Sequence, residues 1–275
     1  MTQPIQNLFS LQNKTAVITG GTGVLGASMS KALGQASANV AIIGRRLEVG
    51  QKLAEEIQKA GGKAISVQAD VLQKEELIKA KEKILSAFGT IDILINAAGG
   101  NMPGATIPVD KTFFDLDTKA FQQVVDLNLL GTVIPSQVFG DVMAAKKEGV
   151  IINISSMSAF RPITRVVGYS AAKAAVSNFT QWLAIEMAKK YGQGIRVNAI
   201  SPGFFITEQN RALLTNPDGS LTARGASVIQ NTPFGRFGEP DELIGTLLWL
   251  CSDASKFVSG VDVPVDGGFN AFCGV

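Results

Sequence analysis

Seven short runs of apolar, mostly β-branched residues punctuate the chain: Thr15–Thr19, Val40–Ile43, Ala64–Val67, Ile91–Ile95, Val150–Ile154, Arg196–Ile200 and Val261–Val265. Between them lie longer stretches with helical spacing of apolar positions: Leu25–Ala36, Leu47–Ala60, Lys74–Phe88, Lys119–Lys146, Tyr169–Tyr191 and Pro240–Ser252. Most of the short runs are apolar throughout instead of alternating, the pattern of strands buried on both faces. The alternation therefore predicts an α/β fold, a doubly wound parallel sheet of about seven strands with helices on both faces. No Pro/Gly/Ser linker and no repeat divides residues 1–275, so a single domain is expected.

Two segments interrupt the rhythm. Residues 99–117 form a long stretch with two prolines, and residues 203–233 contain the turn signal Asn216-Pro217-Asp218-Gly219. Ligands of such sheets bind beyond the carboxyl ends of the strands, where both segments emerge. Long loops of compact domains are mostly binding loops or lids, so these two are predicted to wall the substrate site.

Composition narrows the picture. The 275 residues are 46% hydrophobic, and 25 basic against 23 acidic residues leave a net charge of +2. The charges are spread, with no basic stripe for nucleic acid and no polybasic membrane anchor. No apolar run approaches the roughly 18 residues of a bilayer span. Met1 to Asn13 is polar and lacks a signal-peptide layout, which predicts a cytoplasmic protein. With Cys251 and Cys273 and no histidine, neither a metal site nor a disulfide framework is expected.

The candidate chemistry gathers at strand ends. The first strand runs into Thr19-Gly20-Gly21-Thr22-Gly23-Val24-Leu25-Gly26 and then a helix. Glycines at such a turn let the backbone approach a pyrophosphate, which the helix amino terminus attracts. Asp70-Val71 follow the third strand, and Asp70 is placed to accept from an adenine amino group. Asn96-Ala97-Ala98-Gly99 follow the fourth, with Ala98 and Gly99 small enough for a ring or ribose to lie against the backbone. The second strand ends Gly44-Arg45-Arg46, with glycine where an acid would bind the adenosine ribose of NAD. Arg45 there predicts that NADP(H) is accepted and preferred, with NAD(H) still usable.

One helix opens with Tyr169 and, one turn on, Lys173; Ser156 lies thirteen residues before Tyr169. A phenol titrates near pH 10, so service at neutral pH asks about three units, roughly 4 kcal/mol, of differential stabilisation. A nearby ammonium and a cationic nicotinamide are groups of the right sign. A hydroxyl at Ser156 is placed to hold a substrate oxygen beside the phenol.

These residues, from about Leu11 to the carboxyl terminus, resemble the short-chain dehydrogenases/reductases. The likeness rests on the glycine turn, Asp70, Asn96 to Gly99, Asn128, Ser156, Tyr169, Lys173 and Pro202-Gly203 in that order. It implies a Rossmann-like fold, often tetrameric, and hydride exchange between NAD(P) and a carbonyl or secondary alcohol. It also implies Tyr169 as general acid/base, Ser156 as orienter of the substrate oxygen, and Lys173 as the group lowering the tyrosine pKa and holding the nicotinamide ribose. Asn128 would hold a relay water, and Pro202, Gly203 and Thr207 would contact the carboxamide. The turn departs from the family pattern in having Val24 where its middle glycine is usual, with Gly23 just before.

Within the family the chain is most similar to the short-chain type of D-mannonate oxidoreductase (D-fructuronate reductase). The parts that carry this are the turn with Gly23-Val24-Leu25, Asn96 to Asn101, Phe113-Phe114-Asp115-Leu116, Pro202-Gly203-Phe204-Phe205, the Asn-Pro-Asp-Gly turn and Pro264 to Phe269. The likeness implies a sugar-acid substrate, for which Asn101, Ser158 and Arg165 are the expected contacts. A carboxylate needs a cation, and Arg161 and Arg165 lie between Ser156 and Tyr169, with Arg165 the nearer to Tyr169. A 3-oxoacyl or steroid reductase of the same fold would favour a more apolar loop and lid than one carrying Asn101, Arg165, Asn210 and Arg211. A non-catalytic dinucleotide-sensing module would not need Ser156, Tyr169 and Lys173 together.

Overall fold

The computed structural model describes residues 5–208 and 210–274; Met1 to Pro4, where the amino-terminal expectation begins, lie outside the described residues. After α1 (Ile5–Leu8) come β1 (Thr15–Thr19), α2 (Val24–Gln35), β2 (Asn39–Gly44), α3 (Leu47–Lys59), β3 (Lys63–Gln68), α4 (Lys74–Phe88) and β4 (Ile93–Asn96). The second half supplies α5 (Thr118–Val125), α6 (Gly131–Lys146), β5 (Gly149–Ile154), α7 (Val167–Tyr191) and β6 (Ile195–Pro202). It ends with α8 (Arg211–Leu214), α9 (Ala223–Gln230), α10 (Ile244–Cys251) and β7 (Asp262–Val265). No helix among the described residues is long and apolar enough to cross a membrane.

The seven strands form one sheet in the order β3-β2-β1-β4-β5-β6-β7. Every neighbouring pair is parallel, as the continuous apolar strands predict. Successive side chains of a strand point to opposite faces, so each run feeds two cores. Ala16, Ile18, Val40, Ile42, Ile93, Ile95 and Ile152 pack beneath Met29, Leu33, Leu53, Ile57, Leu247 and Leu250 of α2, α3 and α10. Val17, Ala41, Ile43, Leu94, Ile151 and Val197 face Leu77, Ile84, Phe139, Met143, Leu183 and Met187 of α4, α6 and α7. The chain is thus a Rossmann-like α/β fold. Its strand order reverses between β1 and β4, and the crevice of such a sheet opens there, beyond the carboxyl ends.

Three local expectations need correction. The helix expected over Lys119–Lys146 is broken: α5 and α6 are joined by a π-helical turn, Asp126–Leu130, centred on Asn128. Asn128 donates to the Val124 carbonyl at 2.8 Å and also to Gly100 at 2.7 Å, pulling the turn toward the β4 loop. Single π turns of this kind recur at functional sites. The stretch Pro240–Ser252 starts as a 3-10 turn, Pro240–Leu243, before α10, because proline suits a helix start but supplies no N–H. The segment 203–233 is more than a loop. It holds α8, α9 and an antiparallel bridge between Thr215 and Leu221 around the Gly219 turn.

Candidate active site

The crevice between β1 and β4 is built from backbone. Gly20 turns with φ +65°, and a Cβ there would stand 2.7 Å from the Ala97 oxygen and the Ala98 nitrogen. The β1 and β4 turns therefore touch, and only glycine fits between them. A Cβ on Gly26 would meet the Gly20 oxygen at 2.2 Å, so α2 starts hard against the turn. Gly23 is the N-cap of α2, and no side chain caps that helix. The first-turn N–H groups, those of Val24, Leu25 and Gly26, are thereby left for an anion. Val24, the departure from the family pattern, is the first helical residue with its side chain exposed, so it closes nothing.

Around this cradle the predicted contacts divide. Arg45 lies exposed just past β2, beside Thr22, whose hydroxyl would be 3.1 Å from a Cβ on Gly44. Asp70 spends one carboxylate oxygen on the Leu72 N–H (2.9 Å), and Val71 is buried against Gly131. Ala97, Ala98 and Gly99 are partly open, and a Cβ on Gly99 would lie 2.6 Å from Asn128 Oδ1 and 3.3 Å from Lys173 Nζ. Pro202 closes β6, and Gly203 N–H donates to the Val265 carbonyl at 2.9 Å. Thr207 N–H is held by Asn210 Oδ1 at 2.8 Å. Asn96 corrects the expectation of a direct cofactor contact. Its side chain is 1% exposed and turns into the sheet, donating to Ser136 Oγ (3.0 Å) and Asn153 Oδ1 (2.9 Å), where it braces the strand ends.

The groups expected to react sit past the next strand and on the next helix. Tyr169 lies in the first turn of α7, and Lys173 Nζ stands 5.6 Å from the centre of its ring. Lys173, 5% exposed, donates to the Ile154 carbonyl at 2.7 Å, which leaves two of its three hydrogens for other acceptors. Burial pulls its amine down to about 8, and the Asp262 carboxylate opposes that shift. Ser156, just past β5, accepts from the Ser158 N–H at 3.2 Å and hydrogen-bonds with the Tyr169 phenol. The phenol itself moves the other way from the sequence expectation. Burial raises its pKa, and the hydrogen bond with Ser156 pulls it partly back. Asn128 is fully buried, with both amide hydrogens taken by Gly100 and Val124 and Oδ1 accepting from Gly100 N–H at 3.1 Å. Its side chain ties the β4 loop to the π turn, so any water it holds has only one Oδ1 lone pair.

The two long segments expected to wall the site meet the stretch before α7. Arg165 takes φ +77°, rare for a residue with a side chain, and exchanges two hydrogen bonds with Ile107: Nε to the Ile107 oxygen (3.1 Å), and Ile107 N–H to the Arg165 oxygen (2.9 Å). Arg161 instead donates to the Asn270 carbonyl at 2.8 Å. Asn101 Oδ1 and Ser158 Oγ are buried polar atoms with no hydrogen-bond partner among the described residues. Such orphans cost free energy and mark places where a ligand or water completes the bonding.

Two groups escaped the sequence reading. Asp262, the one acid of β7, accepts from Ser177 Oγ (2.5 Å) and Ser201 Oγ (2.7 Å). Ser177 lies 2.8 Å from Ser155 Oγ, which reaches the Lys173 carbonyl at 3.1 Å. An acid inside Val261-Asp262-Val263 was the available signal. Arg224 of α9 reaches Thr164, and nothing local announced it.

Lys173 makes a stability prediction. Unfolded, its amine titrates at the ordinary 10.5; folded, at about 8. The unfolded chain binds that proton more tightly, so the contribution is full above 10.5 and is lost as pH falls through 8. The stability of wild type relative to Lys173→Met should therefore rise by about 2 kcal/mol from pH 7.5 to pH 10. Denaturant titrations of both proteins across that range measure it, and a constant difference refutes the shift.

Known proteins match this arrangement. A family profile described as enoyl-(acyl carrier protein) reductase, of the short-chain dehydrogenase type, matches residues 22–270. An uncharacterised oxidoreductase of Bacillus subtilis is 49% identical, with 97% of this chain and 98% of that protein covered. A crystal structure from Haemophilus influenza, of a protein assigned as a D-mannonate oxidoreductase and holding NAD, superposes with a TM-score of 0.91 at 47% identity, covering 97% of this chain and 98% of that one. A gluconate 5-dehydrogenase from Burkholderia cenocepacia, in complex with NADP and tartrate, gives 0.85 at 31% identity over 96% and 98% of the two chains. The chain belongs to the short-chain dehydrogenase/reductase family of NAD(P)-dependent oxidoreductases.

Proposed function

We propose that this enzyme interconverts D-mannonate and D-fructuronate: D-mannonate + NAD(P)⁺ gives D-fructuronate + NAD(P)H + H⁺. The observation that carries the sugar-acid reading is a set of polar groups: Arg165, held in a strained backbone four residues before Tyr169, and the orphaned polar atoms of Asn101 and of Ser158, two residues past Ser156. The kinship with the mannonate and gluconate enzymes supports the same class. An acyl or steroid chain would gain little from such a wall.

The residues fit a dinucleotide, since the uncapped α2 terminus suits its pyrophosphate and the two uncommitted hydrogens of Lys173 suit a ribose diol. Gly20, Thr22, Gly23, Leu25 and Gly26 would hold the pyrophosphate. Arg45, Asp70 and Val71 would flank the adenosine, and Ala97, Ala98, Gly99, Pro202, Gly203 and Thr207 the nicotinamide half. When bound, the nicotinamide ring exchanges the hydride. In the reducing direction Ser156 holds the substrate oxygen, and Tyr169, its phenol kept protonated by burial, gives that oxygen a proton. Lys173 carries positive charge below pH 8, which favours the phenolate left behind. Asp262, held by Ser177 and Ser201, sustains that charge from behind.

The proposal includes a single domain, a cytoplasmic location and a homotetramer. For the last, Trp182 and Ile185 stand more than half exposed on α7, with Phe179 stacked on Trp182, an apolar face suited to subunit packing.

The test is a substrate panel. D-Fructuronate should be reduced far better than neutral ketohexoses. Arg165→Ala should lower kcat/KM for the acid by about tenfold, the value of one charge-assisted hydrogen bond, while leaving the neutral sugars nearly unchanged. Equal losses on both would remove Arg165 as the carboxylate anchor. A wild type without acid preference would end the sugar-acid reading.

A further inference from the structure

Arg224 bonds to Thr164, the residue before Arg165, and lies within reach of the Arg165 charge; neither arginine forms an ion pair among the described residues. Arg224 projects from the lid helix α9 and places its two terminal nitrogens 3.3 Å from Thr164 Oγ1 and 3.4 Å from the Thr164 oxygen. Thr164 is the residue just before Arg165, so the lid arginine ends beside the catalytic segment. Both guanidinium groups are partly buried, and each has donors left over: among the described residues Arg165 is fixed through Nε, and its terminal nitrogens have no acceptor there. The like charge of Arg165 and partial burial both push Arg224 away from its cationic form.

Two unpaired, partly desolvated cations beside each other are unfavourable unless an anion comes between them. A carboxylate has two oxygens, and each can meet one guanidinium fork. The geometry also locates that anion. Arg165 is four residues before Tyr169 and is bonded to Ile107 of the 99–117 segment, while Arg224 belongs to the 203–233 segment. Loop, lid and catalytic segment meet at this pair.

We propose that Arg224 and Arg165 together form a two-arginine clamp for the substrate carboxylate, with Arg224 as a specificity-determining residue supplied by the lid. The inference rests on the sugar-acid reading above and adds the second arginine to it. The clamp holds the end of the sugar acid remote from the carbonyl being reduced, so its loss weakens substrate binding more than proton transfer.

The test compares wild type, Arg224→Ala and Arg224→Lys in the reduction of D-fructuronate and D-fructose, with reduced-cofactor binding measured by fluorescence to show that each variant folds. Arg224→Ala should raise KM for D-fructuronate about tenfold and change kcat by less than about threefold, with D-fructose unaffected. Arg224→Lys should recover part of the loss, restoring the charge without the fork. In calorimetry on the enzyme with reduced cofactor, D-tartrate should bind wild type and lose that binding in Arg224→Ala. An alanine variant with unchanged KM for D-fructuronate, or one that loses acid and neutral substrates alike, overturns the clamp. A wild type that ignores D-fructuronate but binds D-tartrate through Arg224 would refute the sugar-acid reading and leave the clamp standing.

Discussion

Tyr169→Phe is expected to fold, to bind the dinucleotide as wild type does, and to lose turnover by a factor of roughly 10²–10⁴. The substitution removes one oxygen and leaves the ring, which packs against the small cluster of Ala105, Ala120 and Val124. The folded structure therefore has little reason to change. What disappears is the proposed donor of a proton to the substrate oxygen, and the site offers no ready replacement. Ser156 is a far weaker acid, and the Lys173 hydrogens not given to the Ile154 carbonyl are the ones a ribose diol would take. Lys173 and Ser156 should keep their places, so KM should move much less than kcat. Single-turnover reduction monitored through the cofactor, with cofactor affinity measured in parallel, makes the comparison. Activity within threefold of wild type would remove the phenol from the chemistry.

The second large effect concerns the cofactor. β2 ends at Gly44, so no acid stands where it would grip the adenosine ribose and repel a 2′-phosphate. Arg45 is exposed immediately beyond, free to meet that phosphate. NADP should be accepted and preferred, with NAD still usable, even though a similar protein from Haemophilus influenza was crystallised with NAD. Arg45→Asp replaces an attraction by a repulsion and should swing the ratio of kcat/KM values toward NAD by at least 10-fold, about 1.4 kcal/mol. Arg45 is exposed, and its backbone oxygen, which accepts from Gln68 Nε2 at 2.9 Å, is untouched by the substitution, so the fold should survive. Kinetics of wild type and variant with both cofactors decide it. A wild type strongly selective for NAD, and unmoved by the substitution, would mean the strand end does not read the phosphate.

What is local in the chain was legible from the chain. The wholly apolar runs determined a parallel sheet buried on both faces, because side chains of period two can be apolar throughout only when both faces are covered. The glycines of 20–26 determined a tight strand-to-helix turn, and the spacing of Tyr169 and Lys173 determined that both face one way from α7. Only the tertiary structure decided which distant groups stand behind and in front of them. The strand order sets β6 between β5 and β7, which brings Asp262 behind Lys173, and the lid folds Arg224 onto the residue before Arg165. The same holds for direction. Asn96 reads as a strand-end ligand group, yet Ser136 and Asn153 draw it inward. The broken helix at Asn128 follows from a bond to Gly100, a partner no helical periodicity can encode. The phenol of Tyr169 goes up and not down because burial outweighs the hydrogen bond with Ser156, and burial is a property of the packed site that spacing along a helix does not carry.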